Sequence, residues 1–230
     1  MLELISTPEF WIGVAQIIAI DLLLGGDNAV VIALACRRLP EQQRNRAIII
    51  GALGAIVLRL ALIFFALELL SLPYLRLVGA ALLLWIGIKL MRNDDGDEDD
   101  NLTASAHLWG AVRTIIIADA VMSLDNVIAI AAASQGQMVL VAIGIVISIP
   151  LIVWGSKLVL WLMDRFPIII TIGAALLGWI AGDMATNDLA LPTLPEWAHY
   201  ASGVLGAAVV LAIGASLNAL QRRRARRSAA

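Results

Sequence analysis

Seven long apolar runs, at about 12–36, 47–70, 74–91, 108–133, 138–163, 167–185 and 200–220, alternate with short polar stretches along the chain. Each approaches the roughly 20 residues that a helix needs to cross a bilayer. The pattern predicts an all-α, polytopic membrane protein with seven transmembrane helices in a single transmembrane domain over residues 1–230. The spans use nearly the whole chain, so its chemistry has to lie inside the helix bundle or at its two faces.

Two of the runs are interrupted in the same way. The first reads Asp21-Leu-Leu-Leu-Gly-Gly-Asp27-Asn28, and the fourth reads Asp119-Ala-Val-Met-Ser-Leu-Asp125-Asn126, each position 98 residues after its counterpart. A carboxylate at the centre of a membrane helix costs about 2.5 kcal/mol or more on insertion scales, so four of them call for an ion or proton site. Asp21, Asp27, Asn28, Asp119, Asp125 and Asn126 are therefore the candidate metal-binding residues.

The similarity extends beyond these motifs. Gly79-Ala-Ala-Leu-Leu-Leu-Trp85 in the third run matches Gly173-Ala-Ala-Leu-Leu-Gly-Trp179 in the sixth, and Gly51 in the second corresponds more weakly to Gly144 in the fifth. Runs 1–3 (residues 10–92) and 4–6 (residues 107–187) thus read as two copies, joined by an acidic cytoplasmic linker at 93–106. A seventh span at 198–220 and a basic cytoplasmic tail at 221–230 follow. Three spans is an odd number, so the second copy enters the membrane from the opposite side. Inverted 3+3 repeats are typical of secondary transporters, which place their site at the midplane between the copies. On unbroken antiparallel helices, Asp21 falls at the depth of Asp125 and Asp27 at that of Asp119, giving two carboxylate layers about 9 Å apart. Gly25-Gly26 leaves a second arrangement open, in which the first span breaks, exposes carbonyls and draws the aspartates to one centre.

Basic residues set the orientation, because cytoplasmic loops retain an excess of Lys and Arg. Arg37, Arg38, Arg44, Arg46, Lys89, Arg92, Lys157, Arg165 and five tail arginines fall on one side, and Arg76 on the other. The amino terminus is therefore expected outside and the carboxyl terminus in the cytoplasm of a multi-pass cell (inner) membrane protein. Arg59 lies within the second span, where it reads either as a structural counter-ion or as a gating residue facing the site. Six acids between Asn93 and Asn101 form a solvated linker that can also concentrate cations. Glu68, Trp197 and His199 are expected at the interfaces, and Pro150 is expected to bend the fifth span.

Composition agrees with this picture and narrows the chemistry. The 230 residues are 61% hydrophobic and 15% charged, with a mean hydropathy of +0.91. The first apolar run is too long for a signal peptide and has no basic segment before it, so it is expected to be retained. Cys36 is the sole cysteine, which excludes a disulfide or thiolate cluster within one chain. Carboxylates, carboxamides and carbonyls are hard oxygen donors that suit Mn²⁺, Mg²⁺ or Ca²⁺ over Cu⁺ or Zn²⁺. Four acids exceed the charge of one divalent cation, and proton exchange follows from the surplus.

Two other readings compete. The Asp-Asn pairs can hold the bundle together by interhelical hydrogen bonds, though Asn alone does so at lower cost. Paired aspartates can also serve an intramembrane enzyme, but neither a Gly-x-Ser-x-Gly nor a His-Glu-x-x-His motif is present. Apart from the basic tail, nothing points to nucleic acid. The expected partners are the lipid bilayer, a divalent cation and protons, with homo-oligomerisation left open.

The doubled Asp-x5-Asp-Asn motif, together with the Gly-to-Trp signatures of the third and sixth runs, resembles the TerC family of integral membrane proteins, in particular its short YjbE-type branch. The resemblance covers essentially all seven spans. It implies export of Mn²⁺ as transported substrate, with no organic cofactor and no enzymatic activity, and handling of the metal by Asp21, Asp27, Asp119 and Asp125. Some members of the family are linked to supplying metal to secreted enzymes, so a membrane scaffold that helps metallation without transporting is the alternative it brings.

Overall fold

The computed structural model describes residues 8–65, 72–92, 104–134, 137–192 and 194–228. Among them are eight helices and no strand: α1 (Pro8–Leu24), α2 (Gly26–Cys36), α3 (Glu41–Phe64), α4 (Leu75–Met91), α5 (Ala104–Ser134), α6 (Met138–Arg165), α7 (Ile168–Thr186) and α8 (Glu196–Ser228). Glu68 and the acidic stretch from Asn93 to Asn101 lie outside the described residues. Five helices, α3, α5, α6, α7 and α8, are long and apolar enough to cross a bilayer, and α1 with α2 makes a sixth when counted as one bent span. The third expected span, α4, has 17 residues. That is about 25 Å of helix, short of a hydrocarbon core of roughly 30 Å.

Two expected boundaries change. The first span is interrupted at Gly25, and its halves meet at 50°. The last helix begins at Glu196 and continues to Ser228, so the basic segment extends the helix instead of leaving it.

The chain divides into two compact units, Met1–Ser71 with Ala111–Trp161, and Leu72–Gly110 with Leu162–Ala230. The first holds α1, α2, α3 and most of α5 and α6. Its apolar core joins Phe10, Val14 and Ile17 from the start of α1 to Ile63 near the end of α3, Val127 and Ile130 of α5, and Leu140, Val141 and Ile145 from the start of α6. The starts of α1 and α6 thus meet the late parts of α3 and α5, so α1 and α6 run one way and α3 and α5 the other.

Within each parallel pair, a glycine admits a branched side chain. A Cβ on Gly144 would come within 2.5 Å of Ile17, and one on Gly51 within 2.7 Å of Ile115. Such small-residue contacts let membrane helices approach closely, where dispersion and interhelical hydrogen bonds replace the missing hydrophobic drive. Ile115 follows Ile17 by the same 98 positions that separate Asp119 from Asp21, and Gly144 follows Gly51 by 93. The α1–α6 and α3–α5 contacts are therefore built from corresponding residues.

The second unit packs α4, α7 and α8. Gly178 and Gly206 bring the backbones of α7 and α8 together, with Gly203 beneath the Trp179 ring, and Gly87 of α4 meets Leu177 and Val210. The loop after α7 is fastened to the start of α4 by Asp188, which is 4% exposed. Its Oδ1 accepts from the backbone N–H of Tyr74 and Ala190, each at 2.8 Å, and its Oδ2 from that of Leu77 at 3.1 Å. Tyr74 has φ 67°, a left-handed conformation unusual for a side chain of that size, which the Asp188 bond helps to hold.

Burial works to raise the Asp188 pKa, but the backbone N–H donors of Ala190, Tyr74, Leu77 and Arg76 outweigh it and hold the carboxyl below its ordinary value. Its stabilisation is therefore complete above the unfolded carboxyl pKa of about 3.9 and is lost as the pH falls through the lower folded value. Asp188→Ala should lower the melting temperature by a constant amount above about pH 5. The gap from the parent should narrow below about pH 4, where the parent loses the same charge. A gap that persists unchanged into strong acid would show that the carboxylate charge is not what fastens the loop.

Candidate functional site: a buried arginine shared by two aspartates

Asp21 lies on the last turn of α1, Asp119 near the middle of α5 and Arg59 on α3, and all three are buried in the first unit. Arg59 donates from one terminal nitrogen to Asp21 Oδ1 and from the other to Asp119 Oδ1. Its Nε donates to Ser123 Oγ at 2.9 Å, and Ser123 in turn donates to Asp119 Oδ2 at 3.2 Å. Ser148 of α6 donates its hydroxyl to Asp21 Oδ2. The planar fork of a guanidinium suits this bridging, and its high pKa keeps it charged wherever it sits.

Three helices have to be in register for the bridge to form; glycine contacts set α3 against α5 and seat α1 on α6. The α1–α6 contact repeats turn by turn through Gly13 with Leu140, Ile17 with Gly144 and Asp21 with Ser148. On the other side, Gly51 with Ile115 leads two turns later to Arg59 with Ser123. Asp21 and Asp119, the first acids of the two motifs, thus meet at one guanidinium instead of occupying separate layers. The break at Gly25 lies just past Asp21, whose carbonyl accepts the Gly25 N–H at 2.8 Å.

The other motif residues are arranged differently. Asp27 and Asn28 open α2 immediately after the break, with Gly25 as N-cap. Asn28 is 3% exposed, and neither its Oδ1 nor its Nδ2 has a hydrogen-bond partner; the buried Oδ1 of Asp27 has none either. Such orphaned polar atoms are uncommon in folded proteins and cost roughly 1–3 kcal/mol each. Asp27 lies within electrostatic range of Asp119 and Arg59. Asn126 is buried on α5, and the side chain of Asp125 lies outside the described residues. Among the described residues, no three His, Cys, Asp or Glu side chains are grouped as a metal would need. The cation between Asp21 and Asp119 is the protein's own.

Ser123 and Ser148 did not stand out in the sequence as partners of the acids. Ser123 was legible in principle, being four residues after Asp119 and so on the same helix face. Ser148 was not, since only the packing of α6 on α1 brings it to Asp21.

The uncharacterized membrane protein YjbE of Bacillus subtilis (strain 168) is 44% identical over 180 residues, which cover 78% of this chain and 82% of that protein. The uncharacterized membrane protein YceF of the same strain is 28% identical over 191 residues, covering 80% and 74%. The inner membrane protein YgdQ of Escherichia coli (strain K12) is 26% identical over 179 residues, covering 71% and 75%. No solved structure matches. The model of the integral membrane protein TerC family matches residues 6–225, nearly the full chain that carries the buried Asp-Arg-Asp bridge, and the protein belongs to that family.

Proposed function

We propose that the protein exports a hard divalent cation, Mn²⁺ in first place with Ca²⁺ and Mg²⁺ as alternatives, in exchange for protons. The observation that carries this reading is the orphaned polar set at the helix break, Asp27 Oδ1 with both amide atoms of Asn28. Their oxygens are hard donors of the kind that suit such a cation. A cation lodged there would engage the Asp27 and Asn28 oxygens, the Nδ2 hydrogens needing an acceptor instead, and would lie near the Asp21–Arg59–Asp119 bridge. Asp125 and Asn126, the counterparts in the second motif, complete the proposed ligand set.

Alternating access of two inverted halves is the proposed mechanism. It is supported by the correspondence between the Ile17–Gly144 and Ile115–Gly51 contacts and by the opposed directions of α1 and α5. In this reading α4 is a span in its own right, making seven, with the amino terminus outside and the carboxyl terminus in the cytoplasm. YgdQ, an inner membrane protein, supports the same membrane for this chain. No enzymatic step is proposed, and protons leave the carboxylates as the metal arrives.

The test is flux into liposomes carrying the purified protein, with Mn²⁺, Ca²⁺, Mg²⁺ and Zn²⁺ offered in turn, with and without a pH gradient. Mn²⁺ flux accelerated by an opposing proton gradient, with Zn²⁺ carried poorly, is the expected result. Protein that is folded and inserted yet moves none of the four metals would overturn the reading.

A further inference from the structure

Arg59 is the largest of the fully buried side chains among the described residues, with 2% exposed, and it places one positive charge between two carboxylates from corresponding positions of the repeated motif. The acids are matched between the two motifs, but the arginine is not. By the spacing of Gly51 and Gly144, the position corresponding to Arg59 is Ile152. One guanidinium therefore serves both acids at once, and a divalent cation cannot take the same place beside it.

We infer that Arg59 is a tethered cation that competes with the transported metal for Asp21 and Asp119, so that metal is bound by these acids only when the guanidinium withdraws. The inference rests on the transport reading above. An arginine cannot be discharged by losing a proton, so it clears the acids only by moving. Ser123 steadies the resting position: its Oγ accepts from Nε at 2.9 Å and donates to Asp119 Oδ2 at 3.2 Å, so it helps to hold the guanidinium on the acids.

The orphaned Asp27 and Asn28 atoms supply the other half of the exchange. They offer an incoming cation a place that Arg59 does not fill, within electrostatic range of the bridge. Metal bound there repels the guanidinium and attracts the two carboxylates, which is the differential interaction needed to shift a two-state equilibrium. When metal leaves, Arg59 returns to the acids, and the empty site is not left with two bare carboxylates. Arg59 is on this view a positioning and gating residue. It lowers the apparent metal affinity by the fraction of time it holds the acids.

The experiment compares the full-length protein with Arg59→Gln and Arg59→Lys, reading Mn²⁺-dependent melting shifts in detergent and Mn²⁺ flux in liposomes. Removal of the competing charge should lower both the Mn²⁺ concentration for half-maximal stabilisation and the KM by about tenfold or more, while kcat falls because release is no longer driven. Arg59→Lys, which retains a charge but not the fork, should give a smaller gain in affinity. A purely structural arginine predicts the opposite, with Mn²⁺ binding unchanged or weakened in Arg59→Gln, and that result overturns the inference.

Should Arg59→Gln not accumulate in a folded form, Ser123→Ala decides. It loosens the guanidinium without removing charge and should lower KM about threefold, whereas an unchanged or higher KM overturns the inference. If the unaltered protein shows neither melting shift nor flux with Mn²⁺, Ca²⁺ or Mg²⁺, the transport reading itself fails, and the role of Arg59 with it.

Discussion

Asp27→Asn is expected to lower Mn²⁺ flux about 100-fold while the protein still folds and inserts. Asp27 stands on the first turn of α2, and its buried Oδ1 has no hydrogen-bond partner, so folding does not depend on a bond from that atom. The carboxylate does favour the positive end of the helix dipole, typically by 0.3–1 kcal/mol, and that is the stability the substitution forfeits. For a bound cation the loss is larger. An ionic partner is worth roughly 1.5–3 kcal/mol more than nothing in its place, and each 1.4 kcal/mol is a factor of ten. The neutral carboxamide keeps the shape and one oxygen of the side chain, so charge alone is tested. Flux and melting temperature measured on the same preparation settle the matter, and flux within threefold of the parent would remove Asp27 from the ligand set.

Arg59→Met is expected to cost about 3–5 kcal/mol of stability in chelator-treated protein, because it leaves Asp21 and Asp119 buried without their shared counter-charge. The substitution preserves much of the side-chain volume, so the penalty is electrostatic and not a cavity. The same reasoning predicts a rescue. Arg59→Met combined with Asp21→Asn and Asp119→Asn removes all three charges and should recover most of the lost melting temperature, since a buried ion cluster is often replaceable by neutral groups at little cost. Adding Mn²⁺ should stabilise the single variant more than the triple one, which keeps Asp27 and Asn28 but lacks the two freed carboxylates. A triple variant no more stable than Arg59→Met would mean that packing, and not charge, makes the arginine important.

Much of the α-helical plan was legible because each span announces itself by its own apolar run. Six of the seven runs coincide with single helices to within a few residues at most of their described ends, and the Gly25-Gly26 pair left open a break in the first that the structure shows at Gly25. The last helix was less legible at its end. The arginines after Gln221 are helix formers, so composition signalled a cytoplasmic tail while local propensity carried the helix to Ser228. The bridge itself was half legible. Asp21, Asp119 and Arg59 were each conspicuous as charges in apolar runs, but nothing local says that they meet. Arg59 is 38 residues from Asp21 and 60 from Asp119, and their contact depends on how α1, α3 and α5 pack together.

The sequence by itself determined that the protein is a helical membrane protein, which residues carry charge into its apolar interior, and that those charges come in two related sets. These are properties of single segments, set by the cost of taking backbone and charge out of water. The tertiary structure decided how the sets combine. It assigned one arginine to the first acid of each set and left Asp27 Oδ1 and the Asn28 amide without partners beside a helix break. It also grouped α1, α2 and α3 with most of α5 and α6, and α4 with α7 and α8, so that each unit draws on two separate stretches of the chain. Such pairings depend on the depth and register of packed helices, and register is a property of the contact between segments that no segment carries alone.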